Sequence, residues 1–258
     1  PDGKPNAGTM YIIKNGLPKY MMPLAYFFAF SGVIAGLPAF QANQVVQLTN
    51  DLYFPEVENF SYFAGAFLVV ITAAVVLGGL KRIANVSALL VPFMGGLYLV
   101  AVLIAVMLNY QQFFPALGLI VTEAFSFDSA VVGGLVGVIL TGIKRGAFSN
   151  EAGIGTEALI HGAAKTSNPV KQGLIAMTGP IFDTLIMCTL TAVIILISGV
   201  YQTSDSQGVT LTSEAFLTTL GPVGPIILFV CVVSFGLSTI FTYSYYCLLY
   251  TSPSPRDI

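Results

Sequence analysis

An all-α integral membrane protein is the fold class this sequence predicts, and three observations carry it. Only 9% of the 258 residues are charged and 55% are hydrophobic, with a mean hydropathy of +0.84. A soluble domain carries about 25% charged residues, so this chain cannot clothe a water-facing surface. The apolar residues gather into six runs, most of them at or beyond the ~20 residues that cross a bilayer core. In the connections between those runs, Lys and Arg appear only in alternate ones, as the positive-inside rule requires of a chain that weaves through a membrane.

The runs are read in order as 20–48, 60–80, 86–109, 130–163, 172–199 and 222–246. The first, fourth and fifth exceed a bilayer's thickness and must tilt, extend or break. Lys4, Lys14 and Lys19 precede the first run, Lys81 and Arg82 follow the second, and Lys165 and Lys171 follow the fourth. The intervening connections hold Asp51, Glu56, Glu58, Glu123, Asp128, Asp205 and Glu214 without a cation. Residues 1–19, 81–85 and 164–171 are therefore expected in the cytoplasm, and 49–59, 110–129 and 200–221 outside. Residues 1–246 read as a single transmembrane domain in a plasma or inner membrane. Pro38, Pro92 and Pro180 are expected to kink their spans.

Several classes of function are excluded or disfavoured. A net charge of −2 offers no electrostatic footprint for nucleic acid. The polar opening "PDGKPNAGTM" lacks the pattern of a signal peptide and starts without Met, so residue 1 is not expected to be a native N-terminus. The three cysteines have neither disulfide nor metal spacing. No nucleophile–base spacing points to an enzyme, and the lone His161 reads as a packing or surface residue.

The stretch "KRGAFSNEAGIGT", 144–156, is the polar exception inside the fourth run. Gly146, Gly153 and Gly155 each weaken a helix by about 1 kcal/mol relative to Ala. Ser149 and Asn150 prefer caps and turns to helix interiors. The expectation is a broken membrane helix, two halves joined by an unwound segment at 146–156. Opened backbone survives in a bilayer only where it lines a cavity. Carbonyls ending the first half suit a cation, and N–H groups opening the second half near Thr156 suit a carboxylate. Together they suit a zwitterion, so Phe148, Ser149, Asn150, Glu151, Ala152, Gly153 and Gly155 are the expected substrate contacts. Glu151 needs a partner or an ion; with Lys144 or Arg145 it forms either a gate or a structural pair.

Other polar residues stand in apolar surroundings. Gln41 and Asn43 in "FQAN" either face a substrate path or hold helices together; Gln41 is assigned to the path. Asp183, beside Thr184 in "IFDTLIMC", either ligates a cation, pairs with Lys144 or Arg145, or hydrogen-bonds the broken helix from behind.

At "RGAFSNEAGIGTEALIHGAAKTSNPVKQGL" the chain resembles the alanine or glycine:cation symporter family. The resemblance extends through "AGTMYIIKNGLPK", "GGLKRIANVSALLVPFM", "FDTLIMCTLTAVIILISG" and "FGLSTIFTYSYY", covering about residues 7–246. It implies a partial leucine-transporter-like fold with inverted repeats, in which these runs are helices 3 to 8 and the broken one is helix 6. It implies sodium-coupled symport of alanine or glycine by alternating access, with Na⁺ as coupling ion and no other cofactor. The alternatives are a non-transporting amino-acid sensor or an inactive truncated fragment. It also implies a sodium site using Ser238 and Thr239, to which Thr184 is added; by residue type alone, those hydroxyls would simply bond back to their own helix. The chain departs from the family pattern at Thr156, Glu157 and Ala158, where Ser-Ala-Pro is usual, and at Tyr243, where Trp is common. Residues 247–258, "CLLYTSPSPRDI", resemble translated sequencing-adapter read-through and are set apart from function.

Overall fold

The computed structural model describes residues 8–124, 135–162, 164, 166 and 168–251. Among them every regular element is helical. In chain order these are α1 (Thr9–Gly16), α2 (Met22–Ala35), α3 (Ala39–Tyr53), α4 (Phe60–Val76), α5 (Gly79–Leu108), α6 (Tyr110–Ala124), α7 (Leu135–Phe148), α8 (Glu151–Ile154), α9 (Glu157–Gly162), α10 (Pro169–Ser198), α11 (Val209–Leu220) and α12 (Val223–Thr251). Three helices, Lys81–Leu108, Pro169–Ser198 and Val223–Cys247, are long and apolar enough to cross a membrane, and Phe60–Val76 is a shorter apolar helix. Their outward faces carry large apolar side chains such as Phe63, Phe67, Met107, Phe182 and Leu185, which is what a bilayer solvates and water does not.

The helices sort into two compact units, one made of 1–36 with 122–189 and the other of 37–121 with 190–258. The second is built on α5 and α12. Tyr98, Ala101, Val102 and Ala105 are buried along α5 at the i, i+3, i+4, i+7 spacing of one helical face. Small residues bring backbones close. A Cβ on Gly224 would lie 2.1 Å from the Phe216 carbonyl oxygen, and one on Gly236 would lie 2.3 Å from Val45 Cγ2. The Tyr98 and Phe216 rings sit 5.7 Å apart, and Tyr98 shares a short hydrogen bond with the Thr191 hydroxyl. A smaller cluster joins Ala116 of α6 to Val193 and Ile197 of α10.

Several boundaries differ from the sequence reading for identifiable reasons. The first run, 20–48, is two helices: Gly36-Leu37-Pro38 parts α2 from α3, and Pro38 opens α3 from the position where its missing N–H costs nothing. The 81–85 loop is helical. Gly79 makes the turn at φ +75°, α5 runs straight through Lys81 and Arg82, and Arg82 Nη1 donates to the Ala74 carbonyl at 2.8 Å. A C-terminal carbonyl of α4 thereby finds a cationic partner. The connections 110–129 and 200–221 contain α6 and α11, each too short to span. In α11, Ser213, Ala215, Phe216 and Thr219 are buried on one face, so a segment read as an outer loop contributes to the core of its unit. Of the fourth run, 130–134 lie outside the described residues, as do 252–258 of the tail.

Candidate functional site

The site lies in the first unit, where α7 stops. The helix continues through Gly146 and ends at Phe148, so the break spans 149–156 and starts three residues later than expected. A lone glycine weakens a helix without ending it, and Gly146 serves the break in another way. Its carbonyl accepts from the Ser149 N–H at 3.3 Å and from the Ser149 hydroxyl at 2.9 Å, so the last turn of α7 is closed by its own neighbour.

Asn150 then takes extended backbone, φ −148° and ψ 161°, and caps the single turn α8 by accepting from the Gly153 N–H at 2.8 Å. The amide's other end turns away from α8. Asn150 Nδ2 donates to the Thr184 hydroxyl at 2.8 Å and lies 3.3 Å from the Ser149 hydroxyl. The Ser149 and Thr184 hydroxyls are themselves 2.8 Å apart. Three of the predicted residues, from two predicted groups, thus form one polar cluster. Thr184 reaches it from a π-helical stretch, Ile181–Cys188, that begins directly after Pro180. A π turn re-registers a helix face and is frequent at functional sites. Asp183 and Thr184 are both in that stretch, with Asp183 exposed.

Glu151 opens α8 and is half-buried. Its carbonyl accepts from the N–H groups of both Gly155, at 2.9 Å, and Thr156, at 3.1 Å. Those two donors, just ahead of α9, are therefore occupied. Ala152 and Gly153 are exposed. Gly155 closes the turn at φ +85°, a region that favours glycine. The side chain of Phe148 lies outside the described set.

The remaining predicted residues belong to the second unit. Gln41 is on α3 with its Oε1 buried and without a partner among the described residues. Ser238 is buried on α12 and donates to the Phe235 carbonyl at 3.1 Å, with Thr239 beside it. The bond back to the helix is thus present at Ser238. His161 is tied down: Gln172 Nε2 lies 2.7 Å from its Nδ1, and Glu157 Oε1 lies 3.5 Å from its Nε2. These contacts tie α9 to α10 and support a structural role for the ring.

Sequence reasoning missed two residues around the break and did not foresee the burial of a third. Thr9, at the start of α1, donates its hydroxyl to the Gly155 carbonyl at 2.9 Å across 146 positions of sequence. The Phe28 ring packs over Gly155. Thr156 is 2% exposed, and its hydroxyl has no partner among the described residues. Nothing local in the sequence announces the first two contacts, because they are set by tertiary packing. Thr156 was visible as a departure from the family pattern.

Apolar helices too oily for water, one of them interrupted by a polar hydroxyl–amide cluster, define a helical membrane protein with a built break. A family model for the sodium:alanine symporter family matches residues 1–251, and the chain belongs to that family. Among its relatives, the sodium/alanine symporter AgcS of Methanococcus maripaludis is 38% identical over 254 residues, covering 95% of this chain and 55% of the relative. The amino-acid carrier protein AlsT of Bacillus subtilis is 40% identical over 179 residues, 69% of this chain and 38% of the relative. The probable sodium/glutamine symporter GlnT of the same organism is 37% identical over 182 residues, 70% and 38%. The chain spans about half the length of the first curated relatives it matches. The family consists of cation-coupled amino-acid transporters, not enzymes.

Proposed function

We propose that this chain forms the central part of a plasma- or inner-membrane transporter that couples Na⁺ entry to uptake of a small neutral amino acid, alanine or glycine, by alternating access. The observation that carries the reading is the interruption of the helix at 149–156 in a chain of this family. Ser149, Asn150 and Thr184 supply hydroxyl and amide groups at one point, and the carbonyls ending α7 point the negative end of its dipole toward a substrate amine or the ion. Glu151, Ala152, Gly153 and Gly155 are the further substrate contacts of this proposal, and Phe148 and Gln41 are carried into it from the sequence reading. Hard Na⁺ takes oxygen ligands by the logic of Ca²⁺ and Mg²⁺, which suits Thr184, Ser238 and Thr239. The leucine-transporter-like arrangement and a cytoplasmic placement of 1–19 belong to the same proposal.

The test is uptake of labelled alanine into proteoliposomes holding the full protein that carries this chain, with and without an inward Na⁺ gradient. Gradient-dependent accumulation is expected, with excess glycine competing and glutamine competing weakly. Equal uptake in both conditions removes the coupling, and glutamine competing best reassigns the substrate.

A further inference from the structure

Gly155 is gripped from two sides. Its N–H is held by the Glu151 carbonyl inside the turn, while its own C=O is held by the Thr9 hydroxyl at 2.9 Å. A Cβ at Gly155 would stand 3.0 Å from Phe28 Cε2 and 3.4 Å from Cζ, so any larger residue would have to push the ring aside. The next turn is gripped as well. Gly8 precedes α1 at φ +120° and approaches Leu159 of α9 so closely that a Cβ there would lie 2.7 Å from its Cδ2. Leu159 is 1% exposed. α1 and α2 also pack on one another. Residues near the start of the chain therefore close over both sides of an interruption some 146 positions away.

A carbonyl beside a left-handed residue has lost its helical partner and must find another. Whatever donates to it fixes the plane of the Gly155–Thr156 peptide. That plane in turn sets where α9 starts and where the buried Thr156 hydroxyl points. Nothing within 149–162 supplies this donor among the hydrogen bonds described; Thr9 does.

We infer that α1 and α2 together form a strap: Thr9 on α1, through its hydroxyl, and Phe28 on α2, through its ring, are positioning residues that hold the break in its binding-competent shape. The strap rests on the transport reading for its consequence, and its local effect is measurable without that reading.

The experiment compares Thr9→Val, which keeps the shape and removes the hydroxyl, with Thr9→Ser, which keeps the hydroxyl, in the full protein. Amide hydrogen exchange over 151–160 reads the break directly, and alanine uptake under a Na⁺ gradient reads its function. In T9V, exchange in that segment rises about fivefold, the size set by one net hydrogen bond, while exchange in α5 and α12 is unchanged. The KM for alanine rises by a similar factor with kcat little altered. T9S stays within about twofold of the parent on both counts. Phe28→Leu, which loosens the grip without touching the hydroxyl, moves exchange in the same direction and carries the test if T9V does not fold. Unchanged exchange in T9V or F28L overturns the strap, as does a T9S variant as loose as T9V. Loosened exchange in a protein that shows no Na⁺-dependent uptake even as wild type keeps the strap and removes the transport reading instead.

Discussion

Gly155→Ala is the sharpest single perturbation of the break. Two costs can be read from the structure. Alanine at φ +85° sits in the left-handed region, which costs an L-residue about 1–2 kcal/mol. Its Cβ would also meet Phe28 Cε2 at 3.0 Å, closer than ordinary carbon–carbon contact. Phe28 is only half-buried, so the ring gives way, and the steric part stays below about 1 kcal/mol. The sum, about 2 kcal/mol, corresponds to roughly a 30-fold loss of the competent geometry. The expected result is a KM for alanine raised by that order, with a lowered melting temperature for the detergent-solubilised protein. The two costs separate in second variants. Gly155→Asn keeps the steric cost and lowers the conformational one, because Asn is enriched in this region. Phe28→Leu combined with Gly155→Ala does the reverse, and each pair recovers part of the loss. Wild-type KM and melting temperature in Gly155→Ala would refute a left-handed turn here, and with it the break as described.

Other outcomes follow from the same contacts. Asn150→Asp keeps the acceptor that caps α8 and loses the donor to Thr184, whereas Asn150→Ala loses both; alanine uptake should fall further in N150A, by about 1 kcal/mol or fivefold for the lost cap. Thr184→Val takes away the shorter of the two partners of Asn150 Nδ2 and removes an oxygen, so the half-saturating Na⁺ concentration should rise about tenfold, with Thr184→Ser close to wild type. Ser238→Ala tests whether that hydroxyl does more than bond to Phe235: a shifted Na⁺ dependence at unchanged stability assigns it to the ion, and an unshifted one leaves it a local helix contact. Gly224→Ala would drive a methyl into the Phe216 carbonyl; it should cost about 1–3 kcal/mol or more and lower the melting temperature without altering ion selectivity.

The sequence made the class legible because hydropathy is a property of composition and run length, and both survive any rearrangement of the helices. It made the position of the break legible because Ser149, Asn150 and Gly155 act on their own backbone: a hydroxyl onto the preceding turn, an amide onto the next, a glycine at a positive φ. It failed where an apolar run hides a turn. Gly36-Leu37-Pro38 reads as membrane sequence yet separates two helices, and the buried face of α11 is too short to register as a span. Thr9 and Phe28 were invisible for a different reason. Their contacts with Gly155 depend on how α1 and α2 pack, and no local pattern encodes that.

The way the break is satisfied bears on how it would work. Opened backbone in a low-dielectric setting is expensive when unpaired, and a site built on bare peptide groups would carry that cost whenever it stood empty. Here the groups are largely paired by the protein itself: Ser149 on Gly146, Asn150 on Gly153, the N–H groups of Gly155 and Thr156 on Glu151, and, from outside the break, Thr9 on Gly155. If the proposed site is right, an arriving substrate or ion would exchange partners with side chains, chiefly the Ser149–Asn150–Thr184 cluster, instead of filling vacant backbone. Exchange of hydrogen bonds costs little net free energy, so an empty site remains stable while a filled one stays releasable, and a transporter that must both capture and let go needs both properties. On this view, variants that remove a side-chain partner, such as T184V and T9V, should change ligand affinity more than overall stability, and a packing variant such as G224A should do the opposite.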